Sequence, residues 1–234
     1  MPDLFVSLTR HSDYLQPAGV PSALLPHPLN REGEEQARAL GVELHGMALE
    51  HSWQLHRTLH CSSLLRAWQT ASLAAQSLEA SAGGHFSIAP SDDLHERSLG
   101  SAANLTVEEI EAAVAADPRH DDLPAGWKAR AGERLPFPGA ESLLEAGERV
   151  ARHLRSIVAE VTPTIDADTL VVVIAHGASI RHAGIGLGLF RDAAEAGSVS
   201  MFHARPVVCR APEDGAWELV AGSWKPRSRE RRED

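Results

Sequence analysis

Leu4-Phe5-Val6-Ser7-Leu8-Thr9-Arg10-His11-Ser12-Asp13 is the stretch that decides the fold of this chain. Its first five residues form a compact apolar run, which is typical of a buried first strand. Arg10 and His11 follow where that strand ends. A cation beside a potential nucleophile at this position indicates a site for an anion.

A second strand of the same kind lies late in the chain. Leu170–Ala175 is a continuous, largely β-branched run, which predicts a central strand covered on both faces, and His176-Gly177 follows directly. Alternating strand and helix patterns predict an α/β fold, a three-layer α/β/α sandwich with a mostly parallel central sheet. Ligands of such sheets bind beyond the carboxyl ends of the strands, so Arg10, His11 and His176 should meet there.

The remaining elements follow from periodicity and capping residues. Helical spacing predicts helices at about 31–49, 64–78, 106–117, 141–161 and 178–189, with Asn30 and Thr106 as N-caps. Weaker strand patterns lie at 55–60, 85–89, 200–204, 207–210 and 217–221. Ser62 or Ser63 is the expected cap of the second helix, whose apolar stripe includes Trp68 but not Arg66. An arginine in a first turn is favourable if an anion lies in front of it.

The domain organisation predicted from composition is a single domain over residues 1–224. A segment rich in Asp, Pro, Gly and Arg interrupts it at about 101–139 and suggests a lid-like excursion. Residues 225–234 are charged and are predicted to be a disordered tail. The chain lacks a signal-peptide pattern and an apolar run of membrane-spanning length, which favours a cytoplasmic protein with Cys61 and Cys209 reduced.

Charge and histidine spacing limit the partners. The 234 residues carry 22 basic and 32 acidic side chains, a net charge of -10, which argues against nucleic acid and membrane surfaces as partners. A small phosphorylated substrate remains compatible if arginines cluster locally. His56 and His60 are four apart on a predicted strand, about 13 Å, too far to share a metal ion. We therefore expect no metal site at these histidines. We also expect that the protein uses no cofactor and is a monomer or a homodimer.

The polar residues near the strand ends suit phosphoryl transfer. A neutral His11 could attack phosphorus, while Arg10 and Arg66 hold the phosphoryl oxygens. His176 could donate to those oxygens as they gain charge. Glu96 could protonate the leaving group and then activate water. Asp13, Asp92 and Asp93 are nearby carboxylates, and each could instead be a solvated loop residue. The arginines supply the positive charge, so this chemistry needs no metal.

Six segments carry these residues in the order Thr9-Arg10-His11-Ser12, Pro28–Ala37, Ser62–Ala71, Leu94–Gly100, Pro138–Leu143 and Ala175-His176-Gly177. The ordered set resembles the histidine phosphatase superfamily, in its phosphoglycerate mutase-like branch. The resemblance implies a phosphoglycerate mutase-like fold and a histidine acid-type phosphatase, a phosphoric monoester hydrolase. It further implies that His11 is the phosphorylated nucleophile, that Arg10, Arg66 and His176 bind phosphate, and that Glu96 is the proton donor.

Two residues depart from the family pattern. Ser12 replaces the usual glycine after the nucleophile, so its hydroxyl is expected to add a contact to the substrate phosphate or to narrow the pocket. Pro17 stands where many members have a phosphate-contacting asparagine. Both changes bear on substrate identity more than on the type of reaction.

Three functions fit the sequence. The first is a metal-independent phosphomonoester hydrolase that forms a phosphohistidine on a small phosphorylated metabolite; a phosphohistidine-protein phosphatase is a variant of it. The second is a 2,3-bisphosphoglycerate-dependent phosphoglycerate mutase, which needs a basic insert. Here the basic residues of the excursion, Arg119, Lys128, Arg130 and Arg134, are mixed with acidic ones. The third is a non-catalytic phosphate-ligand binding module, although all five polar residues are present.

Overall fold

A six-stranded sheet organises the computed structural model, which describes residues 2–227 of the chain. The strands are β1 (Leu4–Arg10), β2 (Gln54–Ser62), β3 (Ser87–Ser91), β4 (Thr169–Ala175), β5 (Val199–Ser200), β6 (Pro206–Arg210), β7 (Glu218–Ala221) and β8 (Lys225–Pro226). The helices are α1 (Arg31–His51), α2 (Leu65–Ala82), α3 (Val107–Ala115), α4 (Leu143–Val161), α5 (Gly177–Gly186) and α6 (Ala193–Ser198).

The central sheet is mostly parallel, as predicted. Its strand order is β3-β2-β4-β1-β6-β7, in which β1 to β4 run parallel and β6 and β7 are antiparallel at one edge. One face packs against α4 and α5, and the other face packs against α1 and α2. The α/β fold class with helices flanking the sheet is therefore confirmed.

The two central strands bring the predicted polar residues together. All seven residues of β4 are buried, because this strand has a neighbour on each side and helices on both faces. β1 pairs with it in parallel so that Arg10 lies opposite Ala175. The amide of His11 donates to the carbonyl of Ala175 over 2.9 Å. His11 and His176 therefore leave the same edge of the sheet side by side.

The excursion at 101–139 packs around a small apolar cluster of its own. The buried members of this cluster are Ala23, Leu99, Ala102, Ile110, Trp127, Leu135 and Ala140. Thr106 and Glu109 form the predicted capping box at the start of α3. Ala23 comes from the loop after β1, and the amide of Val107 also donates to Gly19 in that loop. We propose on this basis that the excursion is an elaboration of one domain.

The start of α2 differs from the prediction. Its N-cap is Leu64, without a side-chain hydrogen bond, and neither Ser62 nor Ser63 caps the helix. The hydroxyl of Ser62 pairs with His176 at 2.8 Å and also accepts from the amide of Leu64 at 3.3 Å, while the hydroxyl of Ser63 pairs with Asp92 and His95. The predicted stripe was also rotated: Trp68 is 42% exposed, whereas Arg66 is fully buried. Helical spacing predicts which apolar residues share a face, but the burial of a charged residue depends on partners from distant segments, which the spacing does not reveal.

The end of the chain also differs. The predicted closing strand at 200–204 does not form: residues 201–204 contain only an isolated bridge at His203 and a turn at Ala204. Val199–Ser200 pairs with Lys225–Pro226 in a separate two-stranded sheet. Lys225 and Pro226 are thus ordered in a strand rather than part of a tail. The remaining predicted tail, residues 228–234, lies outside the described residues.

The distance argument for His56 and His60 was wrong. β2 is irregular between Leu55 and Leu59, which oppose Leu170 and Val172 of β4, so four residues on one strand span two on the other. The two imidazole rings are consequently 6.4 Å apart between centroids. Within residues 2–227, no three His, Cys, Asp or Glu side chains are grouped so as to hold a metal ion. In the same range, no helix is both long and apolar enough to span a membrane.

Candidate active site

Two buried histidines form the centre of the candidate active site. His11 follows β1 and is 2% exposed, and His176 precedes α5 and is fully buried. Their ring centroids lie 5.1 Å apart. Two adjacent imidazoles at the carboxyl edge of the sheet have little packing value of their own, so this arrangement indicates chemistry rather than stability.

The environment of His11 keeps it neutral and fixes its tautomer. Nδ1 lies 2.7 Å from the carbonyl oxygen of Ser12, which can only accept, so Nδ1 carries the proton and Nε2 carries a lone pair. Burial lowers the pKa of His11 well below its usual value, and the charges of Arg66 and Arg10 lower it further. At neutral pH, Nε2 is therefore available as a nucleophile.

Arg66 is a buried cation directed at both histidines. Its Nε donates to His11 Nε2 over 3.3 Å, and its Nη2 lies 3.2 Å from His176 Nδ1. Nη1 and Nη2 also donate to the carbonyls of Leu25 and Ala23, at 3.0 and 2.9 Å. These carbonyls offset the burial of the guanidinium but do not neutralise its charge. The first turn of α2 thus presents a positive charge to the pocket, as an anion site requires.

Arg10 supplies a second guanidinium from the end of β1. Its Nη1 approaches the carbonyl of Met201 at 3.4 Å. Gly177, immediately after His176, makes room for it: a Cβ at that position would lie 3.1 Å from Arg10 Cδ. The absence of a side chain at Gly177 therefore allows the Arg10 side chain to pack directly against the start of α5.

The pairing of His176 identifies Ser62 as a further pocket residue. Because Nδ1 accepts from Arg66, the proton of neutral His176 lies on Nε2, which donates to Ser62 Oγ. Burial and then Arg66 lower the pKa of His176 well below its usual value. From the sequence, Ser62 was considered only as a helix cap.

Glu96 lies at the N-terminus of α5, next to His176. Its Oε1 accepts from the amides of Ser179 and Arg97, at 3.0 and 2.9 Å, while Oε2 has one longer contact, 3.3 Å, with the amide of Ala178. A carboxylate is favourable at this end of a helix. Oε2 is the less engaged oxygen and is the one that could carry a proton.

The loop that bears Glu96 is held by a half-buried ion pair from α4. Arg149 donates to both oxygens of Glu141, at 2.7 and 2.8 Å. It also donates to the backbone carbonyls of Asp93 and Glu96, at 2.8 and 3.4 Å. This network fixes the backbone around Glu96, which sequence reasoning assigned only as a loop.

Ser12 is fully buried beside His11. Its amide donates to the hydroxyl of Thr70 at 3.0 Å, and its own Oγ has no hydrogen-bond partner within the described residues. Thr70 follows Arg66 by one helical turn, so α2 holds both the guanidinium and the backbone next to the nucleophile. The hydroxyl of Ser12 thus remains available to a bound ligand, and its contact with a substrate phosphate stays a prediction.

Two side chains around His11 escaped prediction. Tyr14 stands edge-on to the His11 ring at 5.3 Å, and the Arg66 guanidinium lies 4.9 Å from the Tyr14 ring. His203 lies 5.6 Å from His11 between ring centroids. Tyr14 is close to the signature in sequence and could have been included. His203 is far away in sequence and carries no local pattern that indicates its position.

A family profile matches most of this chain. The profile described as histidine phosphatase superfamily (branch 1) matches residues 6–202, which contain both histidines, both arginines and Glu96.

This chain belongs to the histidine phosphatase superfamily.

Solved structures share its fold at low sequence identity. Mycobacterial glucosyl-3-phosphoglycerate phosphatase, in complex with inorganic phosphate, is 22% identical with a TM-score of 0.66, over 93% of this chain and 95% of that one. A protein described as mycobacterial hydrolase 2 is 22% identical, with a TM-score of 0.70 over 99% and 96%. Phosphoglycerate mutase from Bacillus anthracis is 18% identical, with a TM-score of 0.69 over 94% and 93%. No curated protein sequence matches this chain significantly.

Proposed function

We propose that this histidine phosphatase superfamily member is a metal-independent phosphomonoester hydrolase that acts on a small phosphorylated metabolite through a phosphohistidine. The observation that carries the proposal is the contact between a neutral imidazole and a buried guanidinium: His11 Nε2 faces Arg66 Nε at 3.3 Å. A phosphoryl group that displaces this hydrogen bond meets a nucleophile and a cation at once.

In the first half-reaction, the lone pair of His11 Nε2 forms a bond to phosphorus. The bond between phosphorus and the leaving oxygen breaks, and that oxygen takes the proton from Glu96. The proton on His11 Nδ1 stays on that nitrogen and is donated to the Ser12 carbonyl, whose oxygen stabilises the positive charge of the phosphorylated ring. Arg10 and Arg66 donate to the phosphoryl oxygens, and the Ser12 hydroxyl adds a further contact. His176, whose one N–H is donated to Ser62 in this structure, joins them when the bound phosphoryl group replaces Ser62 as its partner.

In the second half-reaction, a water molecule attacks the phosphorus atom. The phosphorus–nitrogen bond breaks, its electron pair returns to His11 Nε2, and the carboxylate of Glu96 accepts the proton of the water. Inorganic phosphate then leaves the pocket. Charge stabilisation comes from guanidinium groups throughout, so no metal takes part in either step.

The excursion favours hydrolysis over mutase activity. Arg119 is paired with Asp117 at 2.6 Å, and Arg134 is paired with Glu145 at 3.1 Å. Cations that are neutralised by their own neighbours are poor ligands for the carboxylate and second phosphate of a bisphosphorylated substrate. Relatives described as phosphatases, such as the mycobacterial phosphoglycerate-ester enzyme, also support a hydrolase.

The purified protein is expected to hydrolyse an aryl phosphate in the presence of a chelator. A panel of phosphate esters that includes both phosphoglycerates should then be assayed separately for released phosphate and for isomerised product. Activity that disappears with the chelator and returns with a divalent metal would refute the mechanism. Isomerisation without release of phosphate would indicate the mutase, and phosphate binding without turnover would indicate the binding module.

Glu96→Gln is expected to slow esters with poor leaving groups far more than esters with good ones. A good leaving group departs without a proton, so it does not depend on a general acid. Because general acid catalysis typically raises the rate by about 10²–10⁴-fold, we expect its loss to lower the rate mainly for alkyl phosphates. The measurement is kcat/KM across aryl and alkyl phosphates of increasing leaving-group pKa. A uniform loss across the series would mean that Glu96 only caps α5 through the amides of Ala178 and Ser179.

A further inference from the structure

His203 is attached to the nucleophile strand by its own backbone. The residue forms an isolated parallel bridge with Arg10, and the next amide, from Ala204, donates to the carbonyl of Arg10 at 2.9 Å. Ala204 adopts a left-handed conformation, with φ of 47°, as the chain turns toward β6. This backbone arrangement places the imidazole 5.6 Å from the His11 ring, on the edge of the pocket.

The side chain of His203 has unused hydrogen-bonding capacity. Nε2 is buried and has no partner among the described residues, and Nδ1 lies 4.0 Å from Asp13 Oδ1, beyond a normal hydrogen bond. A buried polar atom without a hydrogen-bond partner destabilises the fold, so its retention calls for an explanation. Tyr14 OH and Ser12 Oγ, which also belong to residues around His11, share this condition.

The charges around His203 favour an anion. Arg10 from β1 and Lys225 from β8 act on it as cations, and Asp13 from the loop after β1 acts as the opposing anion. Burial and Arg10 lower the pKa of His203 to about 4, so the ring is neutral at pH 7 and retains one N–H to donate. Among the described residues, three polar atoms around His11 have no hydrogen-bond partner: His203 Nε2, Tyr14 OH and Ser12 Oγ. Together with the guanidinium groups of Arg10 and Arg66, these atoms suit the binding of a phosphate.

We propose that His203 is a further substrate-binding residue, whose Nε2 donates a hydrogen bond to the phosphoryl group held by His11, Arg10 and Arg66. This inference rests on the proposed function, because it assigns a role in the same pocket. It predicts that phosphate affinity depends on a residue outside the sequence segments of the other pocket residues, which are Arg10, His11, Arg66, Glu96 and His176.

The test is direct binding of inorganic phosphate by titration calorimetry, together with its inhibition constant in turnover. For His203→Ala, we expect the dissociation constant to rise about tenfold or more, since a hydrogen bond to a charged group contributes about 1.5–3 kcal/mol. His203→Gln keeps a side-chain N–H near the position of Nε2, and we expect it to restore most of the affinity.

His60→Ala is the matched control. His60 Nε2 is also buried without a partner, and burial also lowers the pKa of His60 to about 4. This histidine, however, lines a separate cavity of about 470 Å³ between β2 and α4. We expect its replacement to leave phosphate affinity unchanged. Equal effects of the two alanine variants, or an unchanged affinity in His203→Ala, would overturn the inference.

The readouts separate this inference from the proposed function. Wild-type protein that binds phosphate but hydrolyses no ester would refute the proposed function, while a weaker affinity in His203→Ala would still support the inference. Wild-type protein that hydrolyses esters while His203→Ala binds phosphate normally would refute the inference alone. Wild-type protein that neither binds phosphate nor hydrolyses any ester of the panel would overturn both.

Discussion

The His11→Ala variant will not turn over phosphate esters and will not form a phosphoenzyme. The bond to phosphorus is made by Nε2 of His11. The neighbouring His176 is proposed to bind the phosphoryl oxygens rather than to attack phosphorus, so we do not expect its imidazole to substitute. Removing a nucleophile outright commonly lowers kcat by about 10⁴-fold or more. We therefore expect hydrolysis to fall below the detection limit of an aryl phosphate assay.

The decisive measurement is covalent labelling with a phosphate donor, followed by a denaturing quench at alkaline pH and then by separate acid and base treatments. Phosphohistidine is labile in acid, so the label should be lost on acid treatment and retained in base. His85→Ala is the control, because this side chain is 84% exposed and remote from the pocket. Label on the His11→Ala variant would show that another residue is the nucleophile. His11→Asn, which fills more of the space, addresses a failure of the alanine variant to fold.

The Arg66→Lys variant will lose most of its activity even though its charge is kept. Arg66 uses a planar fork to reach His11, His176 and two backbone carbonyls at once, whereas an ammonium group is a compact charge on a flexible stem. Loss of one charge-stabilising donor commonly costs about 10²–10³-fold in kcat. We expect a loss in this range, with a larger effect on kcat than on KM.

Stability must be separated from chemistry in this experiment. The lysine cannot satisfy the carbonyls of Ala23 and Leu25 together, so the melting temperature should fall by several degrees. Arg181→Lys is the matched control: Arg181 is also buried and donates to the carbonyls of Gly177, Ala196 and Val199. It should lose stability while retaining most of its activity. Equal losses of kcat in the two variants would mean that Arg66 acts only through the fold.

Local sequence patterns were sufficient for the sheet and for the residues at its carboxyl edge. Leu170–Ala175 could only be a central strand, and parallel pairing with β1 follows from the alternation of strands and helices. His11 and His176 therefore had to meet, whatever the details of the loops. The same logic applied to Arg66, because a helix that begins at the same edge presents its first turn to the pocket.

Interactions between distant segments were the part that local patterns could not supply. The orientation of Arg66 depends on carbonyls of Ala23 and Leu25, and the pairing of the Ser62 hydroxyl depends on His176. The bulge in β2 depends on its register with β4. His203 reaches the pocket through a turn that no local pattern indicates. Each of these features is set by tertiary contacts rather than by propensity.

Ala23 connects the apolar cluster of the excursion to the candidate active site. Its side chain belongs to the apolar cluster of the excursion, which includes Trp127, while its carbonyl holds the Arg66 guanidinium. One residue therefore joins the interior of the excursion to the cation of the pocket. Substitutions in relatives that change the packing of the excursion can thus shift the Ala23 carbonyl and, through Arg66, change phosphate affinity, even where every residue that contacts phosphate is the same.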